Sequence, residues 1–357
     1  MNQPLWADFR SDACTLPTPA MRTAMAAATV GNDDFAEDPT ISRLERRVAT
    51  LLGKPAALFV QSGTMGNLVA LLCHLNRGET LLTSGSFHID YWEGDAVSRI
   101  VGAGIERIPD HTEGAWTTLV SLPTSVGSSR LLCLETPVNR HGGTLLPLQH
   151  MQQLRLWASR MRLPIHLDGA RFFNASVALG ITPSVLADTC DTVTVSFNKA
   201  LSAPAGAILS GSFDFIARAR RFRWMLGGAW KQGGVLAAAC DVGLDDFPEQ
   251  IAADHQLARE LAAGLNDIPD VAVNEESVAT NIVLMRVHRP DIALDALRAA
   301  LHVRGIGIGR FKEGGLSRLV CHRDITRESV SRSLDLLASL LRDPPADCRL
   351  SSESLAT

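Results

Sequence analysis

The sequence predicts an α/β protein with a large domain on a mostly parallel sheet, followed by a smaller α+β unit. Three observations predict it. Between residues 40 and 215, short apolar runs alternate with amphipathic stretches. Several runs, LLCL and TVTV among them, are almost continuous in apolar or β-branched residues, as strands covered on both faces are. The 357-residue length is that of one large domain plus a smaller one.

In chain order, AALFV (56–60), TLLTS (80–84), RLLCLE (130–135), LPIHLD (163–168), DTVTVS (191–196) and AGAILSG (205–211) read as strands. Segments 64–76 and 147–161 space their apolar residues at three and four positions, which marks crossover helices with one buried face. After the glycine-rich MLGGAWKQGG (225–234) a helical run extends to about residue 267. Strand-like TNIVLMRV, helical DIALDALRAALHV, strand-like SRLVCH and helical RESVSRSLDLLASLLR follow. The expected boundaries are a large domain over 1–250 that includes the N-terminal segment, a small domain over 251–342, and a disordered Pro/Ser-rich tail over 343–357. There is no internal repeat.

Composition narrows the function classes. Hydrophobic residues make up 46% and mean hydropathy is +0.09, which excludes disorder over most of the length. A net charge of −4 leaves no basic surplus for a nucleic acid partner. The seven cysteines are scattered without a C-x-x-C pair, so reduced thiols in a cytoplasmic protein are expected, with neither a disulfide framework nor a metal site. No run of about 18 apolar residues and no basic leader occurs, so neither membrane nor export is expected.

Candidate chemistry clusters at strand ends. Lys199 lies just past DTVTVS among small residues and prolines. A desolvated lysine loses part of its preference for the ammonium form and becomes an amine nucleophile toward an aldehyde, the requirement for a Schiff base. Taken singly, it is equally a surface lysine. Asp168 closes LPIHLD, at the sheet edge where ligands of open α/β sheets collect. A partly buried carboxylate there suits the protonated ring nitrogen of pyridoxal phosphate, although an Asp capping a turn reads the same way. QSGTMGN (61–67) stands between a strand and a helix. Its glycines, free helix-start amides and the Ser62 and Thr64 hydroxyls make a phosphate site, or simply a common turn. His88 is a candidate to stack on a flat ring, or an ordinary satisfied histidine. Arg171 and Arg318 offer guanidinium forks for a substrate carboxylate. The joint order of glycine turn, histidine, strand-end aspartate and a lysine 31 residues later selects the pyridoxal phosphate reading.

On these segments, and on FRSDACTLPTPAMRTAMAAATVGNDDFAEDPTISRLERRVATLLGKPAALFVQSGTMGN, HLDGARFFNA, SFNKALSAPAG, MLGGAWKQGGVLAAA and RLVCHRDIT, the chain resembles the threonine aldolase and β-eliminating lyase family of fold-type-I pyridoxal-phosphate enzymes. The similarity runs to about residue 340. It implies Lys199 as the Schiff-base lysine, Asp168 at the pyridine nitrogen, Gly63 with Thr64 at the phosphate, and His88 over the ring. It implies Ser11, Arg171 and Arg318 at the substrate carboxylate, and sites shared between subunits of a homodimer or homotetramer. The implied activity is retro-aldol cleavage of a β-hydroxy-α-amino acid to glycine and an aldehyde; racemisation and β-elimination are the alternatives on the same scaffold.

The chain also departs from the pattern. Where the family commonly reads E-N-T-H-N this sequence has ETPVN (135–139), so a histidine often proposed for proton transfer aligns with Val138, leaving His88 or a water as the candidate base. A lysine position is Trp224, an arginine position is Lys231 and a tyrosine position is Phe35. Lys231 keeps the charge for a neighbouring phosphate and loses the fork. Trp224 and Trp230 suggest either a bulkier substrate or packing at a subunit interface. The S-x-x-K match in SFNK lacks its companion motifs, and GIGIG (305–309) lacks a βαβ unit, so serine acyl transfer and NAD are set aside.

Overall fold

The computed structural model describes residues 4–108 and 127–350. Among them are twelve strands: β1 Ala7–Asp8, β2 Ala56–Val60, β3 Thr80–Ser84, β4 Gly104–Ile108, β5 Ser129–Glu135, β6 Ile165–Gly169, β7 Thr192–Ser196, β8 Ala207–Gly211, β9 Val271–Val273, β10 Ile282–Val287, β11 Ile306–Gly307 and β12 Leu316–Val320. The chain divides into two compact units, Leu16–Pro248 and the remainder on either side of it.

The larger unit is built on a seven-stranded sheet of order β2-β8-β7-β6-β5-β3-β4. Only β8 runs antiparallel to its neighbours. Central β6, β7 and β8 are buried along their whole length, which is why their sequences do not alternate. All six expected strands form. The sequence reading missed β4, GIERI, because an edge strand paired on one side carries charges on a largely exposed surface.

Local signals set the helix ends. The helix Pro39–Leu52 starts at Asp38, whose carboxylate accepts from the Thr40 and Ile41 amides, and stops at Gly53 with φ +62°. The helix Gly63–His74 starts at Ser62, whose Oγ accepts from the Met65 amide at 3.1 Å.

In the smaller unit an antiparallel sheet β12-β10-β9 and the parallel pair β1-β11 surround one apolar core that includes Phe9, Leu261, Met285, Leu301 and Leu337. The N-terminal segment differs from expectation: it belongs to this unit. Ala7 pairs with Ile306, Phe9 donates to the Gly307 carbonyl at 2.7 Å, and Val320 donates to the Phe9 carbonyl at 2.9 Å. A two-residue strand carries too little periodicity to be read. The tail differs too. Residues 343–350 are ordered, with Cys348 fully buried and Leu350 donating to the Asp291 carbonyl at 2.9 Å; 351–357 lie outside the described residues. The long helical run breaks into Gly234–Gly243 and Phe247–Asn266. All seven cysteines are free thiols. No helix among the described residues is long and apolar enough to cross a membrane.

Candidate active site

Parallel β5, β6 and β7 end together, so residues at their C-terminal edge converge. Asp168 sits there, 3% exposed. Its Oδ1 accepts from the Ala170 amide at 3.0 Å and its Oδ2 from Asn67 Nδ2 at 2.9 Å. His88 opens a short helical turn after β3, and its Nδ1 lies 2.7 Å from Glu93 Oε1. One ligand atom from each of His88, Glu93 and Asp168 falls within 4.8 Å of the others. That spacing also suits a metal ion, but Glu93 already takes Nδ1 and Asn67 already takes Oδ2.

The electrostatics follow from burial and company. Burial alone would push the His88 imidazole down, but the hydrogen bond to Glu93 and the charges of Asp168, Glu93 and Glu135 outweigh it and hold its pKa above the ordinary value. Glu93 is raised, chiefly by burial, with the Asp168 charge adding to it while His88 and Thr64 pull the other way. Glu135 is pushed up to about 7 by burial and by Asp168. Its two oxygens accept from the His88 amide at 2.5 Å and the Asn139 amide at 2.8 Å. The Asn139 side chain in turn accepts from Arg171 Nη1 at 3.1 Å. A single carboxylate therefore anchors the histidine and the partner of the arginine.

Lys199 follows β7 and is half-buried. Its carbonyl accepts from the Ser202 amide at 2.9 Å, and the Phe197 carbonyl accepts from Ala203 at 3.0 Å, closing a tight loop. Ser202 holds φ +59°, a left-handed conformation costing a non-glycine residue about 1–2 kcal/mol. At the start of the helix Gly63–His74, a Cβ on Gly63 would stand 2.7 Å from Ser196 Oγ, and one on Gly66 would stand 2.6 Å from Thr194 Cγ2. At both positions an added Cβ would force a neighbour to shift. The Ser196 and Thr194 hydroxyls and Gln61 Oε1 are buried without a partner among the described residues. First-turn amides of a helix have no intrahelical acceptor, so donors and orphaned polar groups meet at Gly63 and Thr64.

The remaining sequence candidates are placed as follows. Ser62 Oγ caps the helix by accepting from the Met65 amide. Lys231 is exposed and paired with Asp34. In the smaller unit, Ser11 Oγ accepts from the Ala13 amide at 3.2 Å, and Arg318 on β12 donates to the Arg10 carbonyl at 3.1 Å. Val138 is buried and donates to the Thr144 carbonyl at 2.8 Å. Trp230 stacks on Phe59 with centroids 5.7 Å apart, which gives it a packing role, whereas Trp224 is exposed. Sequence reasoning missed Asn67, Glu93, Glu135 and His166. The signal was present in His166 and Glu135, polar residues inside apolar strand runs, which stay buried only when partnered.

Comparison with known proteins now adds to this geometry. The beta-eliminating lyase family model matches residues 8–288. The chain is 37% identical to low-specificity L-threonine aldolase 1 of Arabidopsis thaliana over 337 residues, 92% of this chain and 94% of that one.

The chain belongs to the beta-eliminating lyase family, with the threonine aldolases.

Other similarities lie across this family. An uncharacterized protein of Caenorhabditis elegans is 43% identical over 71% of this chain and 63% of its own length. Alanine racemase TOXG of Cochliobolus carbonum is 29% identical over 95% of this chain and 88% of that one. A solved structure of Leishmania major threonine aldolase superposes with TM-score 0.78 at 20% identity, covering 94% of this chain and 99% of that one. The family's fold-type-I architecture, a large mostly parallel sheet in an α/β unit, is the fold of this chain.

Proposed function

We propose that this lyase cleaves a β-hydroxy-α-amino acid to glycine and an aldehyde with pyridoxal phosphate. The observation that carries the reading is Asp168, buried at the sheet edge within 4.8 Å of the His88–Glu93 pair, in a chain 37% identical to an L-threonine aldolase over 92% of its length.

The residues present fit the cofactor. Asp168 would hold the pyridine nitrogen with His88 beside the ring, and Lys199 would supply the amine for covalent attachment. The Gly63 and Thr64 amides, with Ser196 and Thr194 at hand, would take the phosphate, with Lys231 adding charge. When bound, the cofactor supplies an electron sink for the pair left by the broken Cα–Cβ bond. Arg171, held by Asn139, would grip the substrate carboxylate and set which Cα bond stands in line. With His88 Nδ1 committed to Glu93, its Nε2 is the atom left to take the β-hydroxyl proton, directly or through a water, in the role Val138 cannot fill.

A cytoplasmic enzyme is supported by the seven free cysteines. A homodimer or homotetramer is supported by Trp224 and Met225, 65% and 68% exposed beside a cleft of about 380 Å³ also lined by Asp33 and Arg221. Racemisation or elimination is the second reading, favoured by the match to an alanine racemase and by the family's description.

The test is incubation of the cofactor-supplemented protein with L-threonine, L-allo-threonine and a phenylserine, with chiral product analysis. Aldehyde plus glycine is expected. An α-keto acid with ammonia, or lost chirality alone, selects the second reading. Absence of a borohydride-stable adduct on Lys199 overturns both.

A further inference from the structure

Behind Asp168, away from any reacting atom, a line of buried polar side chains runs through the sheet. Asn67 is 1% exposed, His166 is fully buried and Thr192 is 2% exposed. Asn67 Oδ1 lies 3.1 Å from His166 Nε2, His166 Nδ1 lies 3.0 Å from Thr192 Oγ1, and Thr192 Oγ1 lies 2.9 Å from His74 Nε2. None of these contacts builds secondary structure, and none touches the substrate side. Three buried polar side chains, with the half-buried His74 at the end of the line, are costly unless each is satisfied.

The proton positions follow by elimination from the carboxylate end. Asn67 Nδ2 stands 2.9 Å from Asp168 Oδ2 and 3.5 Å from each oxygen of Glu93. The amide oxygen in that place would face three carboxylate oxygens, so the nitrogen stands there and the oxygen faces His166. His166 Nε2 must then carry the hydrogen. Burial pushes the His166 pKa down to about 3 and the His74 pKa down to about 4, so both rings are neutral near pH 7 and carry one hydrogen each. His166 Nδ1 is therefore a bare acceptor for the Thr192 hydroxyl. That hydroxyl, having spent its hydrogen, accepts from His74 Nε2. Every bond points the same way.

We propose that His74, Thr192, His166 and Asn67 are positioning residues: a one-directional hydrogen-bond wire that fixes the plane of the Asp168 carboxylate and delivers an N–H to its Oδ2, while Oδ1, which accepts from the Ala170 amide, keeps its second lone pair for the cofactor ring. Bonds aligned head to tail polarise one another, so the wire's effect at Asp168 exceeds that of Asn67 alone. Thr192 is the residue that tests it, because it touches neither Asp168 nor any proposed ligand group. This inference rests on the pyridoxal phosphate reading, and its first readout does not need the cofactor.

In the apoprotein, ¹⁵N NMR of the histidine side chains near pH 7 is expected to find both His74 and His166 as Nε2–H tautomers. A Nδ1–H tautomer or a charged ring at His166 overturns the wire. T192V, which removes the hydroxyl and keeps the shape, is expected to mix the His166 tautomers and to lower kcat about fivefold, the worth of one neutral hydrogen bond, with KM for the amino acid unchanged. T192S is expected to restore both. An unchanged kcat in T192V with shifted tautomers overturns the link to Asp168 while leaving the cofactor reading intact. Should T192V not fold, H166Q keeps a donor toward Asn67 and an acceptor toward Thr192; it is expected to retain activity within about fivefold, while H166F loses more, and equal loss in both overturns the proposal. Failure of the Lys199 adduct in the wild type marks failure of the cofactor reading instead.

Discussion

Two ends of the same sheet edge contrast in how their polar groups are satisfied. Around Asp168, each carboxylate oxygen has a donor from the chain, and partners extend four residues deep to His74. Around Gly63, the hydroxyls of Ser196 and Thr194 are buried with no partner among the described residues. On the proposed reading, two orphaned hydroxyls beside a helix start, one strand away from a carboxylate with a donor on each oxygen, make one end of the edge rigid and leave the other to be completed by a ligand. The first end supplies geometry, and the second supplies binding energy.

Substitutions sharpen that contrast, and the largest effect is expected where the covalent link forms. Lys199→Ala is expected to abolish both the borohydride-stable adduct and turnover, read by peptide mass mapping and aldehyde release; retention of either moves the nucleophile elsewhere. Asp168→Asn replaces an acceptor with an amide at the rigid end, and about a 10³-fold loss in kcat is expected with the fold intact by circular dichroism. At the other end, Gly66→Ala forces a methyl to 2.6 Å from Thr194 Cγ2. It is expected to cost about 1–3 kcal/mol of stability and to weaken cofactor retention in equilibrium dialysis more than it alters kcat of the loaded fraction. Equal effects on both would erase the distinction between the ends.

Smaller effects test the electrostatics. Glu93 is one cause of the raised His88 pKa, and a histidine base is lost as pH falls through its pKa. Glu93→Gln removes that cause, so the acid limb of kcat/KM is expected to move to lower pH; a limb that stays in place takes the role of base away from His88. Ser196→Ala removes an orphaned hydroxyl and is expected to leave the apoprotein unchanged or up to about 1 kcal/mol more stable in urea melts, while the cofactor-bound form gains less.

The sequence made the large unit legible because its central strands are buried on both faces and so are written in uninterrupted apolar letters, as in TVTVS. It hid β4, whose exposed edge needs no such pattern, and β1, whose two residues hold no period. At the site, Lys199, Asp168 and the Gly63 turn stand out as candidates by their places at strand ends. Asn67 and Glu93 do not, because their value lies in what they hold, and a holding residue is recognised only once its partner 26 or 101 positions away is beside it; Glu135 shows only as a polar residue in an apolar strand run, its partner at 88 being 47 positions away. The tail from Asp343 misled for a related reason. Its Pro/Ser composition reads as disorder, yet Cys348 and the backbone bonds to Asp291 and Ala293 fasten it.

Glu135 remains the feature with the widest reach. By gripping the backbones at 88 and 139 with its two oxygens, it gears the would-be base and the arginine's support to one shaft. Lengthening the Glu135–Asn139 segment by a residue would throw both out of mesh at once, and so would a shift of the backbone at 88. Diversification on this scaffold is therefore expected to leave the spacing of those two amides alone.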